Sequence, residues 1–176
     1  STLEDAFDSE RMLVSLPIYY PLSYYRGDDA TIDPMVEGRQ KQVVGLIRTL
    51  LLKRFESSAV AFEATCEDLL LKLIYFVRLH SPKYAARWEA QNADLMARIK
   101  EHLQTRRPLK AKEEDLDEDI VPEEFKKKIE ELDDREYDVT SMVMETMLDM
   151  NQLAQLLNEL KAFSPTRDDK LQTLIY

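Results

Sequence analysis

From Arg39 to Val77 the apolar positions recur at three- and four-residue intervals: Val43, Ile47, Leu50, Leu51, Phe55, Ala59, Phe62, Cys66, Leu69, Leu70, Leu73 and Val77. That spacing lays them along one face of a helix. Gly45 is the only weak helix former in the run, and no proline intervenes before Pro82. The pattern predicts one helix of about 40 residues, roughly 60 Å long at 1.5 Å per residue. A helix of that length suits a hairpin or protrusion.

Ser81 followed by Pro82 predicts a second start, with the serine capping and the proline in the first turn. Tyr84, Trp88, Leu95, Met96, Ile99 and Leu103 give this helix its stripe, and it is expected to end near "TRRPLK". The segment "AKEEDLDEDIVPEE" reads as a charged connector, centred on 111–121, with little to bury. A third helix is expected from Pro122, with Glu123 and Glu124 suited to its N-terminus and Phe125, Ile129 and Leu132 opening its stripe. "DDREYD" bends or breaks it, and Asp138 is placed to cap a restart. Val139, Met142, Met147, Met150, Leu153, Leu157 and Leu160 then carry the pattern to Phe163. The end, "SPTRDDKLQTLIY", reads as a turn and a short helix capped by Asp168 or Asp169, too short to be stable alone.

Residues 1–38 have no sustained period. "LPIYYPLSYYRGDDATIDP" sets prolines around an aromatic cluster and then turns. Tyr19, Tyr20, Tyr24 and Tyr25 have two readings. They lie along a neighbouring surface as a packed arm, or they stack on nucleic-acid bases beside Arg26. The expected fold is all-α: a long antiparallel helical hairpin or elongated bundle over 39–163, with an irregular aromatic-rich arm over 1–38.

Composition adds three constraints. With 176 residues, 33% charged and only three glycines, the chain suits one helical domain with appendages. No apolar run approaches the roughly 18 residues of a membrane span, and no signal peptide is present, so the expected setting is cytoplasmic, away from membranes. A start at Ser1 and an end at "KLQTLIY" are expected of a piece of something longer. The net charge of −10 is uneven: −6 over 1–38, +7 over 39–110 and −11 over 111–176. Either the basic middle meets phosphates, or the basic and acidic thirds pack on each other.

Catalytic chemistry is missing at each place it could stand. His80 and His102 have no Glu three residues upstream, which excludes the paired helix motif of di-iron bundles. Both are expected near helix C-termini, where a cation is favourable without any catalytic role. Cys66, the only cysteine, falls on the apolar stripe as a packed thiol. Gly27, Gly38 and Gly45 are not spaced to cradle phosphates, and "DEDI" at Asp117 to Ile120 follows charged residues where a metal-binding box follows a buried strand. Met142, Met144, Met147 and Met150 read as core filling. No catalytic, cofactor-binding or metal residue is expected in this chain.

"LLLKRFESSAVAF", Leu50 to Phe62, resembles a string of bacterial SWI/SNF-related, helicase-like ATPases of superfamily two. In that family a similar string follows the ATPase motifs of the first RecA-like lobe. "SPTRDDKLQTLI", Ser164 to Ile175, is similar to the Asp-Lys-Leu helix that opens the second lobe. The resemblance implies a helical inter-lobe domain over 39–163, with 164–176 as the start of the following RecA-like lobe. It implies a parent that hydrolyses ATP with magnesium, stimulated by nucleic acid, and whose lobes are this domain's partners. Lys53 and Arg54 would then reach a phosphate backbone or an acidic lobe surface. Glu56, Ser57 and Ser58 would bond a partner backbone or fix those basic side chains. A reading from a different class is a stand-alone helical protein–protein interaction module, which needs neither ATP nor nucleic acid.

Overall fold

The computed structural model describes residues 14–105, Lys127, Glu130 and 132–175, with side chains as far as Ala162. The expected connector at 111–121, and the starts at Pro122, Phe125 and Ile129, lie outside the described residues. Within them the chain is all-α, with one isolated antiparallel bridge between Tyr25 and Tyr137 and no strand.

Three short 3-10 turns, Pro17–Tyr19, Pro21–Tyr24 and Asp29–Thr31, precede helix α1, Pro34–Ser57. Helix α2 follows at Ala59–His80, α3 at Pro82–Gln91, α4 at 93–105 and α5 at Val139–Ile175. Helix α1 starts five residues before the predicted Arg39. The Asp33 carboxylate accepts from the Met35 N–H at 2.9 Å, and Pro34 already holds helical φ.

The predicted 40-residue helix is two helices. Ser58 takes an extended conformation, φ −154° and ψ 115°, and turns the chain within one residue. Its N–H still donates to the Arg54 carbonyl at 2.8 Å, and its carbonyl accepts from Phe62 at 2.9 Å. The corner therefore interrupts the ladder without abandoning the main chain of Ser58. Ser81 and Asn92 make junctions of the same kind: Ser81 donates to Val77 and accepts from Ala85, while Asn92 donates to Trp88 and accepts from Met96. At Ser81 the main chain does this work, and its side chain makes no capping hydrogen bond.

The break at "DDREYD" is where the sequence places it. The Asp138 carboxylate accepts from the Ser141 N–H at 3.2 Å and from its hydroxyl at 2.7 Å, capping α5. The turn expected at Ser164 is not formed, and α5 runs through Pro165 to Ile175. Proline's fixed φ is itself helical, but inside a helix it loses its own N–H bond and crowds the carbonyl four residues back, a cost of about 3 kcal/mol that α5 bears at this position.

Helix α2 carries the core. Phe62, Cys66, Leu70, Leu73 and Val77 have no exposed surface, and they face Met142, Met150, Leu153 and Leu157 of α5. The direction of the bundle follows from side-chain pairs. Arg78 with Glu89, and Glu67 with His102, set α2 antiparallel to α3 and α4. Trp88 with Asn151, and Arg98 with Asn158, run α3 and α4 alongside α5 in the same sense. Tyr84 of the expected stripe, and Met144 of the methionines expected to fill the core, point outward, at 46% and 57% exposed. The basic and acidic thirds do pack on each other, chiefly through these apolar faces. No helix among the described residues is long and apolar enough to cross a membrane.

Residues 14–25 lie between α1 and α5 and touch both. Leu16, Ile18 and Tyr19 are buried there, so the tyrosine cluster belongs partly to the core. The Tyr24 hydroxyl donates to Glu145 and the Tyr20 hydroxyl to Glu37, while Tyr25 meets Tyr137 edge to face. Two charged side chains hold the arm's main chain. Asp149, 1% exposed on the apolar face of α5, accepts from the Leu16 N–H at 2.8 Å and the Ser15 N–H at 3.0 Å. Arg48 of α1 donates to the Val14 carbonyl at 2.7 Å. Between them Leu16 is the one non-glycine residue at positive φ, 53°, among the described residues. That conformation costs a residue with a Cβ about 1–2 kcal/mol.

Burial is the largest influence on the Asp149 carboxyl and pushes it up from 3.8 to about 6, with the arm's N–H groups pulling the other way. Between those values the folded chain holds a proton that the unfolded chain has released. The group's stabilising contribution is therefore complete below about pH 4 and lost as pH rises through about 6. Urea midpoints measured from pH 4 to pH 7 should show this as a loss of about 2–3 kcal/mol. Asp149→Asn should be less stable at low pH, because an amide offers one acceptor to the arm, but should lose that slope. In the α2–α5 core, Leu70→Ala should cost about 2–5 kcal/mol in the same assay.

Candidate functional site

The apolar helix former "LLL" drives α1 toward its end, and the polar "KRFESS" forms the corner with α2. Leu51 is buried, and Phe55 meets Phe62 across the corner with ring centroids 5.2 Å apart. These contacts fix the angle between the two helices. The polar side chains then divide. Arg54, half-buried, donates from its guanidinium to the Thr65 hydroxyl of α2, and Thr65 donates in turn to the Ala61 carbonyl at 2.9 Å. The Ser58 hydroxyl accepts from the Ala61 N–H at 3.3 Å and caps α2, while the Ser57 hydroxyl donates back to the Lys53 carbonyl at 2.8 Å. Lys53 and Glu56 are exposed on the outer side of the corner.

Of the five residues expected to meet a partner, Arg54 and Ser58 thus hold the corner itself, Ser57 bonds back within α1, and Lys53 and Glu56 face outward. Of the two cations expected to reach a phosphate backbone or a lobe surface, Lys53 is exposed, and Arg54 is bound to Thr65 across the junction. The physical reason is the break at Ser58, which brings Thr65 within reach of Arg54.

Other candidate groups are silent. Cys66 is buried, and burial, with Glu67 and Glu63 nearby, pushes its thiol well above the ordinary range, which leaves it without nucleophilic character at neutral pH. His80 ends α2, where a cation suits the helix terminus, and packs against the Phe76 ring at 4.7 Å. A shallow, largely open depression of about 470 Å³ between the α3–α4 junction and α5 is lined by Asn92, Asn151, Gln155 and Asn158. All four amides are already bonded: Asn151 accepts from Trp88 and Asn158 from Arg98, while Asn92 donates to the Trp88 carbonyl and Gln155 to Glu159.

No protein-family model, curated protein or solved structure matches the chain.

The sequence reading passed over one cluster. His102 of α4 turns its Nδ1 toward Glu67 at 2.6 Å and Glu63 at 3.3 Å, both on α2. Its signal was present as two acids four residues apart beside the apolar stripe. The partner, 35 residues further on, depends on how α4 folds back.

Because Ser58 caps α2, Ser58→Ala should cost about 0.5–2 kcal/mol and Ser58→Gly only a few tenths. Lys53→Ala, on the exposed side, should stay within about 0.5 kcal/mol. Arg54→Ala should fall between them, and chemical denaturation of the four chains ranks them.

Proposed function

We infer that this chain is the helical inter-lobe domain of a superfamily-two, helicase-like ATPase, without catalytic motifs of its own. The reading rests on the resemblance of Leu50 to Phe62 to a family string. What supports it is the division of labour at the corner. Leu51, Phe55, Arg54 and Ser58 build a rigid junction, and Lys53 and Glu56 stand on its outer side. Residues that merely decorate a solvated helix face need no such junction. The unbroken α5 carries "RDDKLQTLI" onward as helix, the conformation the second string has in the family.

In this reading the parent's two RecA-like lobes bind ATP and magnesium, and this domain sits between them. Lys53 offers one positive charge to a phosphate backbone or to an acidic lobe surface. One cation on a chain of net charge −10 gives little affinity by itself, since each phosphate contact acts largely by counterion release. The chain alone is expected to bind DNA weakly near physiological salt, and to bind no ATP in a calorimetric titration.

The decisive experiment uses the full-length parent. Lys53→Ala should lower nucleic-acid-stimulated ATP hydrolysis several-fold while basal hydrolysis changes little, and the difference should shrink as salt rises. Full stimulation by the variant across the salt series would remove Lys53 from the contact. A full-length chain without a phosphate loop would overturn the ATPase reading and leave a stand-alone helical interaction module.

A further inference from the structure

Glu63 and Glu67 stand four residues apart on α2 and so project side by side. His102 arrives from the antiparallel α4 and aims its Nδ1 between them. One donor atom from each of the three residues lies within 4.8 Å of the others. Glu67 is 2% exposed, beside the fully buried Cys66 and Leu70. A carboxylate is seldom taken so far from water unless it meets a charged partner or a metal. The Glu63 and His102 side chains keep 37% and 40% of their surface, so the cluster has a buried floor and an open entrance.

We propose that Glu63, Glu67 and His102 bind a divalent transition-metal ion of the zinc class, which ties α4 to α2. Two carboxylates and a neutral imidazole carry two negative charges between them, the number a divalent cation balances. The imidazole in the set favours zinc, cobalt or nickel over magnesium and calcium, which prefer oxygen alone. Zinc bonds of about 2.0–2.2 Å place neighbouring ligand atoms of a tetrahedron about 3.3 Å apart. The His102–Glu63 separation of 3.3 Å already has that value. The His102–Glu67 separation of 2.6 Å is a hydrogen bond. It must open by about 0.7 Å to reach the tetrahedral spacing, a small rotation of one carboxylate. The fourth position, toward the open side, is left to water.

The test uses the whole chain with zinc and cobalt salts. Calorimetric titration of zinc in a large excess of magnesium should show one site per chain, since magnesium occupies adventitious carboxylate clusters. Cobalt(II) should develop the visible bands of a site with a nitrogen ligand. Removing even an outer partner of a metal site costs about 10–100-fold in affinity. Glu63→Gln and His102→Gln should therefore each weaken zinc by at least about 10-fold, with unchanged circular dichroism. Zinc should also raise the melting temperature of the parent chain and not of the variants. Glu63 is well exposed, so its variant keeps the test valid if His102→Gln folds poorly. Failure of the parent chain to bind zinc under excess magnesium overturns the site, as does equal binding by both variants.

Discussion

Asp149 holds the main chain of Ser15 and Leu16 from inside the apolar face of α5, and the irregular arm takes its place against that helix from that pair of hydrogen bonds. It ties the start of the arm to α5, where Leu16, Ile18 and Tyr19 are buried. Arg48 gives the arm a second tie, from the α1 side. The result is a three-layer contact in which an irregular segment, not a helix, fills the space between two helices. Such a segment has main-chain groups to satisfy, and here charged side chains satisfy them. Placing a carboxylate among leucines and methionines costs desolvation, which is why its proton affinity rises.

The all-α class and the order of helices were legible because the apolar period is long and regular. Asp138 was legible as a cap because turn residues precede it and an apolar run follows. The break at Ser58 was not, since good helix formers flank it on both sides and two serines are mild disfavourers. What decides it is the packing of Phe55 on Phe62 across the corner, a contact between helices that periodicity does not encode. Pro165 misled in the other direction, because a proline is a strong turn signal whose local cost a long helix absorbs. Asp149 and Glu67 each lie within or beside an apolar stripe, an anomaly visible in the letters. Their partners lie 133 to 134 and 35 residues away, and only the folded chain reveals them.

The corner at Ser58 and the cluster at His102 stand along the same helix. Glu63 is five residues past the corner, and Thr65, which receives Arg54, lies between Glu63 and Glu67 on α2. The first three turns of α2 therefore meet α1 on one side and α4 on another. A change that shifts α1 at the corner acts on the same turns that carry the carboxylates. Coupling of this kind needs no long path, only one short rigid stretch with neighbours on two sides.

The one-residue corner also limits how this region can change over time. An ordinary surface loop tolerates gain or loss of residues because slack absorbs them. Here Ser58 bonds backward to Arg54 and forward to Phe62, so no slack exists. One added residue would rotate everything after it by about 100° around the helix axis. Phe62, Cys66 and Leu70 would swing out of the core, and Glu63 and Glu67 would turn away from His102. Variation at "KRFESS" is thus confined to exchange of letters at constant length, with Lys53 and Glu56 the positions most open to it.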